Sequence, residues 1–134
     1  MDIIIDFDGT CVTHEFPEVG KDIGAVSVLK ELIKSGHNLI LFTMRSDNGE
    51  RDYLSEAVFW FKANGINLYG IQVNPTQGFW TNSPKAYGEL IIDDAAIGSP
   101  LSYILNGELQ ERGFINWVKL RRLLVSKGIL KNQK

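Results

Sequence analysis

Two carboxylates, Asp6 and Asp8, close the apolar run Ile3-Ile4-Ile5, and Gly9-Thr10 follows at once. In a strand, residues two apart face the same side. Like charges held that way repel unless a cation or a shared proton sits between them. A second acidic pair, Asp93-Asp94, closes the apolar run Leu90-Ile91-Ile92. The ends of buried strands are where open α/β sheets place their ligands. Acids from two such ends would offer oxygens to magnesium, which prefers few protein carboxylates and keeps several waters. The pattern therefore reads as a metal-assisted reaction centre. Turn or helix-cap carboxylates are the plainer reading, but they leave the two groupings unexplained.

The elements that must position these acids alternate along the chain. Strands are predicted over 3–7, 38–42, 69–73 and 90–92, from short apolar runs. Helices are predicted over 22–35, 51–63 and 114–126, where apolar residues recur at helical spacing and Gly36, Gly65 and Gly128 supply stops. Strand runs apolar on both faces predict a parallel sheet covered by helices on each side. Residues 103–109, with Asn106-Gly107 inside, predict a small hairpin or an edge strand. Two long irregular stretches remain, 9–21 and 73–85, and loops of that length are more often functional than idle.

The bulk composition narrows the class. A chain of 134 residues fits one domain over 1–134, and 44% hydrophobic against 22% charged residues suits a folded protein. A net charge of −2 without a dense Lys/Arg block gives no reason to expect nucleic acid. The lone Cys11 cannot form an internal disulfide. No apolar run reaches the roughly 20 residues of a membrane span. Met1-Asp2-Ile3 lacks the positive start of a signal peptide. A cytoplasmic protein is the expectation.

Four separated elements resemble, in order, the four motifs of the haloacid dehalogenase-like (HAD) superfamily of phosphatases. They are Asp6-Phe7-Asp8-Gly9-Thr10, Thr43 at the end of the second predicted strand, Lys85, and Ile91-Ile92-Asp93-Asp94. The resemblance implies an α/β fold, a Rossmann-like three-layer sandwich with a mainly parallel central sheet. No cap domain is expected, because both irregular stretches are too short for an inserted one. It also implies a magnesium-dependent phosphatase that hydrolyses a phosphomonoester, such as a sugar phosphate, through an aspartyl-phosphate.

By the same resemblance, Asp6 is the nucleophile and a metal ligand. Asp8 gives the metal its backbone carbonyl, and its side chain serves as general acid and then general base. Thr43 would hydrogen-bond a phosphoryl oxygen, and Lys85 would neutralise the phosphoryl charge. Asp94 aligns better with the direct metal ligand, and Asp93 acts through water or orients Lys85; the sequence leaves that assignment open. An acid at the position of Asp8 favours a phosphatase over a dehalogenase.

Other residues receive simpler roles. The amide of Gly9 is expected to face phosphoryl oxygens. Arg45 is read as a substrate contact or a surface charge, with equal weight. Asp47 and Asn48 would cap the second helix, His37 would cap the first, and Cys11 would pack. Phe79 and Trp80 are expected in a local buried cluster, and His14 solvated in its loop. The basic run Lys119, Arg121, Arg122, Lys127, Lys131 and Lys134 reads as a solvated face. Without a cap, water exclusion falls to the loop 14–19, to the loop around Trp80, or to a neighbouring subunit of a homo-oligomer.

Three other readings stand beside this one. One is a phosphatase for a macromolecular phosphate. Another is a phospho-accepting receiver domain, which needs an Asp at a later strand end. Phe42-Thr43 and Val73-Asn74 supply none. The last is a catalytically silent phosphate-binding module on the same fold.

Overall fold

The run Ile3-Ile4-Ile5 forms the centre of the sheet because both of its edges find parallel partners. The computed structural model, which describes residues 1–132, orders its elements as β1 (Asp2–Ile5), α1 (Ala25–Lys34), β2 (Asn38–Leu41), α2 (Tyr53–Ala63), β3 (Gly70–Ile71), a 3-10 turn (Gln77–Phe79), β4 (Leu90–Ile92), β5 (Leu101–Leu105), β6 (Glu108–Ile115) and α3 (Trp117–Ser126). The central sheet runs β3-β2-β1-β4, with every pairing parallel. β5 and β6 form a separate antiparallel hairpin.

Register divides the sheet side chains between two faces. Ile3, Ile5, Leu39, Leu41 and Ile92 share one core with Leu29 and Leu32 of α1, Phe61 of α2, and Trp117 and Leu124 of α3. Ile4 and Ile40 point the other way, where Ala86 joins them. All three helices therefore cover a single face, not both. The opposite face carries the irregular segment 74–89, so the three layers are helices, sheet and a thin connecting layer.

Handedness explains the asymmetry. The chain steps from β1 through β2 to β3 in one direction, then returns past both to reach β4. A right-handed connection in that reverse direction must cross the other face. Pro75, Gly78 and Pro84 keep this crossing from becoming a helix. Side-chain amides satisfy its backbone instead. Buried Asn74 donates to the Tyr87 carbonyl at 3.0 Å, and Gln77 donates to those of Ser83 and Lys85 at 3.1 and 3.0 Å. The thin layer leaves Ile91 52% and Trp80 64% exposed.

Local chemistry sets the element ends. α1 starts three residues later than predicted, because the Asp22 carboxylate accepts from the amides of Gly24, Ala25 and Val26. The hairpin turns on Asn106 and Gly107, with φ of 51° and 82°, as a two-residue turn of this kind requires. It is longer than predicted. Leu101 pairs with Ile115, so Phe114 and Ile115 belong to β6 and α3 begins at Trp117, capped by the Asn116 side chain. Among the described residues, no helix is long and apolar enough to cross a membrane.

Candidate functional site

β1 lies between β2 and β4, so its carboxyl end opens on the crevice where strand order reverses. Asp6 leaves β1 there, its amide donating to the Ile92 carbonyl at 3.0 Å. Asp93 and Asp94 leave β4 beside it. One oxygen from each of Asp6, Asp93 and Asp94 falls within 4.8 Å of the others.

Thr10 sits at the centre of the cluster, fully buried. Its hydroxyl lies 2.9 Å from Asp6 Oδ2 and 3.1 Å from Asp94 Oδ1, and it accepts from the Asp94 amide at 3.0 Å. One hydroxyl proton serves one carboxylate at a time, so the other must share a proton or meet a cation. Burial, then the Asp93 charge, then a hydrogen bond shared with Asp94 push the Asp6 carboxyl up to about 8. A carboxyl in that state holds a proton near neutral pH or exchanges it for a cation. Hard oxygens from three acids fit magnesium or a similar hard ion.

His14 is at this site rather than in solvent. Its Nε2 lies 3.4 Å from Asp94 Oδ2 and 2.9 Å from the Gly113 carbonyl oxygen. Both neighbours accept, so Nε2 carries the proton. The ring occupies the space a side chain at position 9 would fill, and Gly9 has φ +76°. The Gly9 amide does not face outward as expected, because it donates to the Val12 carbonyl at 2.8 Å. Thr10 and His14 are the residues that sequence reasoning passed over as site members. Thr10 closes the acidic motif itself and His14 lies four residues beyond it, and nothing in either position marks it as a partner of Asp94.

Asp8 does not join the acid cluster through its side chain. The Arg45 guanidinium grips both of its oxygens, Nε to Oδ2 and Nη2 to Oδ1, each at 2.8 Å. The other N–H groups of Arg45 donate to the carbonyls of Glu18, Tyr53 and Pro17 at 2.9, 3.2 and 3.4 Å. The guanidinium carbon lies 5.2 Å from the centre of the Phe7 ring and 5.0 Å from that of Phe16. All five guanidinium donors are thus engaged. Arg45 is neither a surface charge nor free for a substrate.

Thr43 follows β2, where the Gln72 side chain brackets it at 2.8 and 2.7 Å, and its hydroxyl accepts from the Arg45 amide at 3.2 Å. Lys85 is exposed on the thin layer, and among the described residues it forms no ion pair with the acids. Asp93 turns one oxygen to the Ala95 amide at 2.9 Å, whereas Asp94 is held by Thr10 and His14.

Several minor expectations change. Phe79 and Trp80 are exposed, with Trp80 touching the Tyr87 ring edge-on. Asp47 does bind the first turn of α2, through the Ser55 amide and hydroxyl, while Asn48 closes its own turn. His37 contacts the Ile129 carbonyl and the terminal amine. Cys11 is buried, as expected. Arg121 is not simply solvated, since it pairs with Glu31 at 2.9 Å. Lys134 lies outside the described residues.

No family model matches the chain. No curated protein matches it either. Among solved structures, it is similar to a conserved protein of Bacteroides thetaiotaomicron, at 29% identity and a TM-score of 0.74, covering 99% of this chain and 98% of that one. The match covers nearly the whole of both chains.

Proposed function

We propose that this chain is a magnesium-dependent phosphatase of the haloacid dehalogenase-like superfamily. Its substrate would be a small phosphomonoester such as a sugar phosphate, met in the cytoplasm. The observation that carries the reading is the meeting of Asp6, Asp93 and Asp94 around Thr10 at two neighbouring strand ends. Phosphoryl transfer needs charge neutralisation and in-line positioning, and such a cluster suits both.

Magnesium, when bound, would neutralise charge on the phosphoryl oxygens. Asp6 and Asp94 would hold it, with Asp93 beside them and the Asp8 carbonyl as a further oxygen. Asp6 attacks phosphorus, the P–O ester bond breaks, the leaving oxygen takes a proton from water or from an Asp8 freed of an Arg45 bond, and the phosphoryl group rests on the Asp6 carboxylate. Water then releases phosphate and regenerates Asp6. Thr10 and His14 keep Asp94 in place. Thr43 donates to a phosphoryl oxygen, and the exposed Lys85 would supply positive charge to the phosphoryl group. Asp8 takes an acid–base role only after giving up at least one Arg45 bond. Cover comes from the loop 14–19, the hairpin, or a second copy in a homo-oligomer, which sedimentation distinguishes.

The test is phosphate release from an aryl phosphate. Magnesium should support it, EDTA should stop it, and Asp6→Asn should bring it to background while the circular dichroism spectrum is kept. Retained hydrolysis in Asp6→Asn removes Asp6 as nucleophile. The Asp8–Arg45 pair favours one second reading, a silent phosphate-binding module. Absence of turnover across a broad panel, with magnesium still raising the melting temperature, selects that reading.

A further inference from the structure

We infer that the groove between the hairpin and the loop 13–22 is the subsite for the leaving group, and that it takes a neutral polyhydroxylated group such as a hexose. This deepens the phosphatase reading and rests on it. The groove holds about 760 Å³, a size typical of small-molecule sites. His14 forms part of its wall and also touches Asp94, so groove and acid cluster share one side chain.

The groove is fixed relative to the cluster. The Ile115 amide at the end of β6 donates to the Gly9 carbonyl at 2.9 Å, and Trp117 Nε1 donates to the Thr10 carbonyl at 2.7 Å. His14 adds its bond to the Gly113 carbonyl. Three links therefore tie the hairpin and the start of α3 to the acidic loop, and the two walls are preorganised.

The chemistry of the walls selects the occupant. Lys21, Asn106, Glu108, Gln110, Glu111 and Arg112 line the groove. None of their charged groups forms an ion pair within the described residues. Carboxylates accept from hydroxyls, and amides both donate and accept. Two more acids stand in the wall, Glu15 and Asp22, engaged with Thr13 and with the start of α1. With four acids against Lys21 and Arg112, a polyanionic leaving group such as a nucleotide meets repulsion. A sugar meets acceptors in Glu108 and Glu111, donors in Lys21 and Arg112, and both in Asn106 and Gln110.

Two measurements on the full chain test this. Amide NMR shifts are followed while neutral methyl hexosides of the gluco, galacto and manno series are added. Hydrolysis of hexose 1- and 6-phosphates is compared with that of p-nitrophenyl phosphate in wild type and Gln110→Ala. Expected are shifts confined to 13–15 and 106–112, and about a tenfold fall in the selectivity ratio of kcat/KM for hexose phosphate over p-nitrophenyl phosphate in the variant. Shifts that are absent or lie elsewhere, or an unchanged ratio, overturn the subsite. If no phosphomonoester is hydrolysed, groove shifts with hexosides still support a sugar site, and only the phosphatase reading falls.

Discussion

Asp6 shows how far a single residue is governed by its neighbours. Its carboxyl is pushed from an ordinary 3.8 to about 8, chiefly by burial and then by Asp93 and Asp94. Between those values the folded chain keeps a proton that the unfolded chain has lost. The stabilisation is therefore full below about 4 and is lost as pH rises toward 8. Thermal melts in EDTA should show a melting temperature that falls from pH 5 to pH 8, and Asp6→Asn should flatten that slope. On the proposed reading magnesium would compete with the proton for the same oxygens, so its stabilising effect should grow over the same range. An equal slope in Asp6→Asn would place the titration elsewhere.

The acids of the site were legible in the sequence because an apolar run ending in paired carboxylates has few other uses. Arg45 was not, because the direction of a side chain in the loop after β2 depends on what tertiary packing brings opposite it. His14 was hidden for a similar reason: its seat is made by the missing side chain of Gly9, not by its own surroundings in sequence.

At the scale of elements, Arg45 joins the acidic loop, the segment 17–18 and the start of α2. Removing one partner of a buried pair strands the other. Arg45→Met should therefore destabilise the fold by about 3–5 kcal/mol in urea denaturation. Arg45→Lys should recover only part of this, because an ammonium cannot reproduce the planar fork. Full recovery by Lys would mean that charge alone matters and geometry does not. The Asn106-Gly107 turn announced the hairpin, but its length did not show, since Phe114 and Ile115 fit the apolar pattern of a helix as well as that of β6.

Across the whole molecule, the two sheet faces are unequal. Apolar strands suggested helices on both sides, yet a right-handed return to β4 leaves the second side to an irregular segment. Pattern alone does not tell which face a connection crosses; strand order does. Leu29, fully buried in the helical core, should cost about 2–5 kcal/mol on change to Ala. Ile91, in register with Ile4 but half exposed, should cost under about 1.5 kcal/mol on the same change. Equal losses in denaturant melts would show that the second face is covered in solution.

The most direct measurement is to quench the protein with acid during reaction with an aryl phosphate and magnesium, and to locate any added phosphoryl group by peptide mass. One phosphoryl group on the peptide carrying Asp6, absent from Asp6→Asn, is expected. Turnover with no phosphorylated carboxylate, or with the group on another acid, would contradict the role given to Asp6.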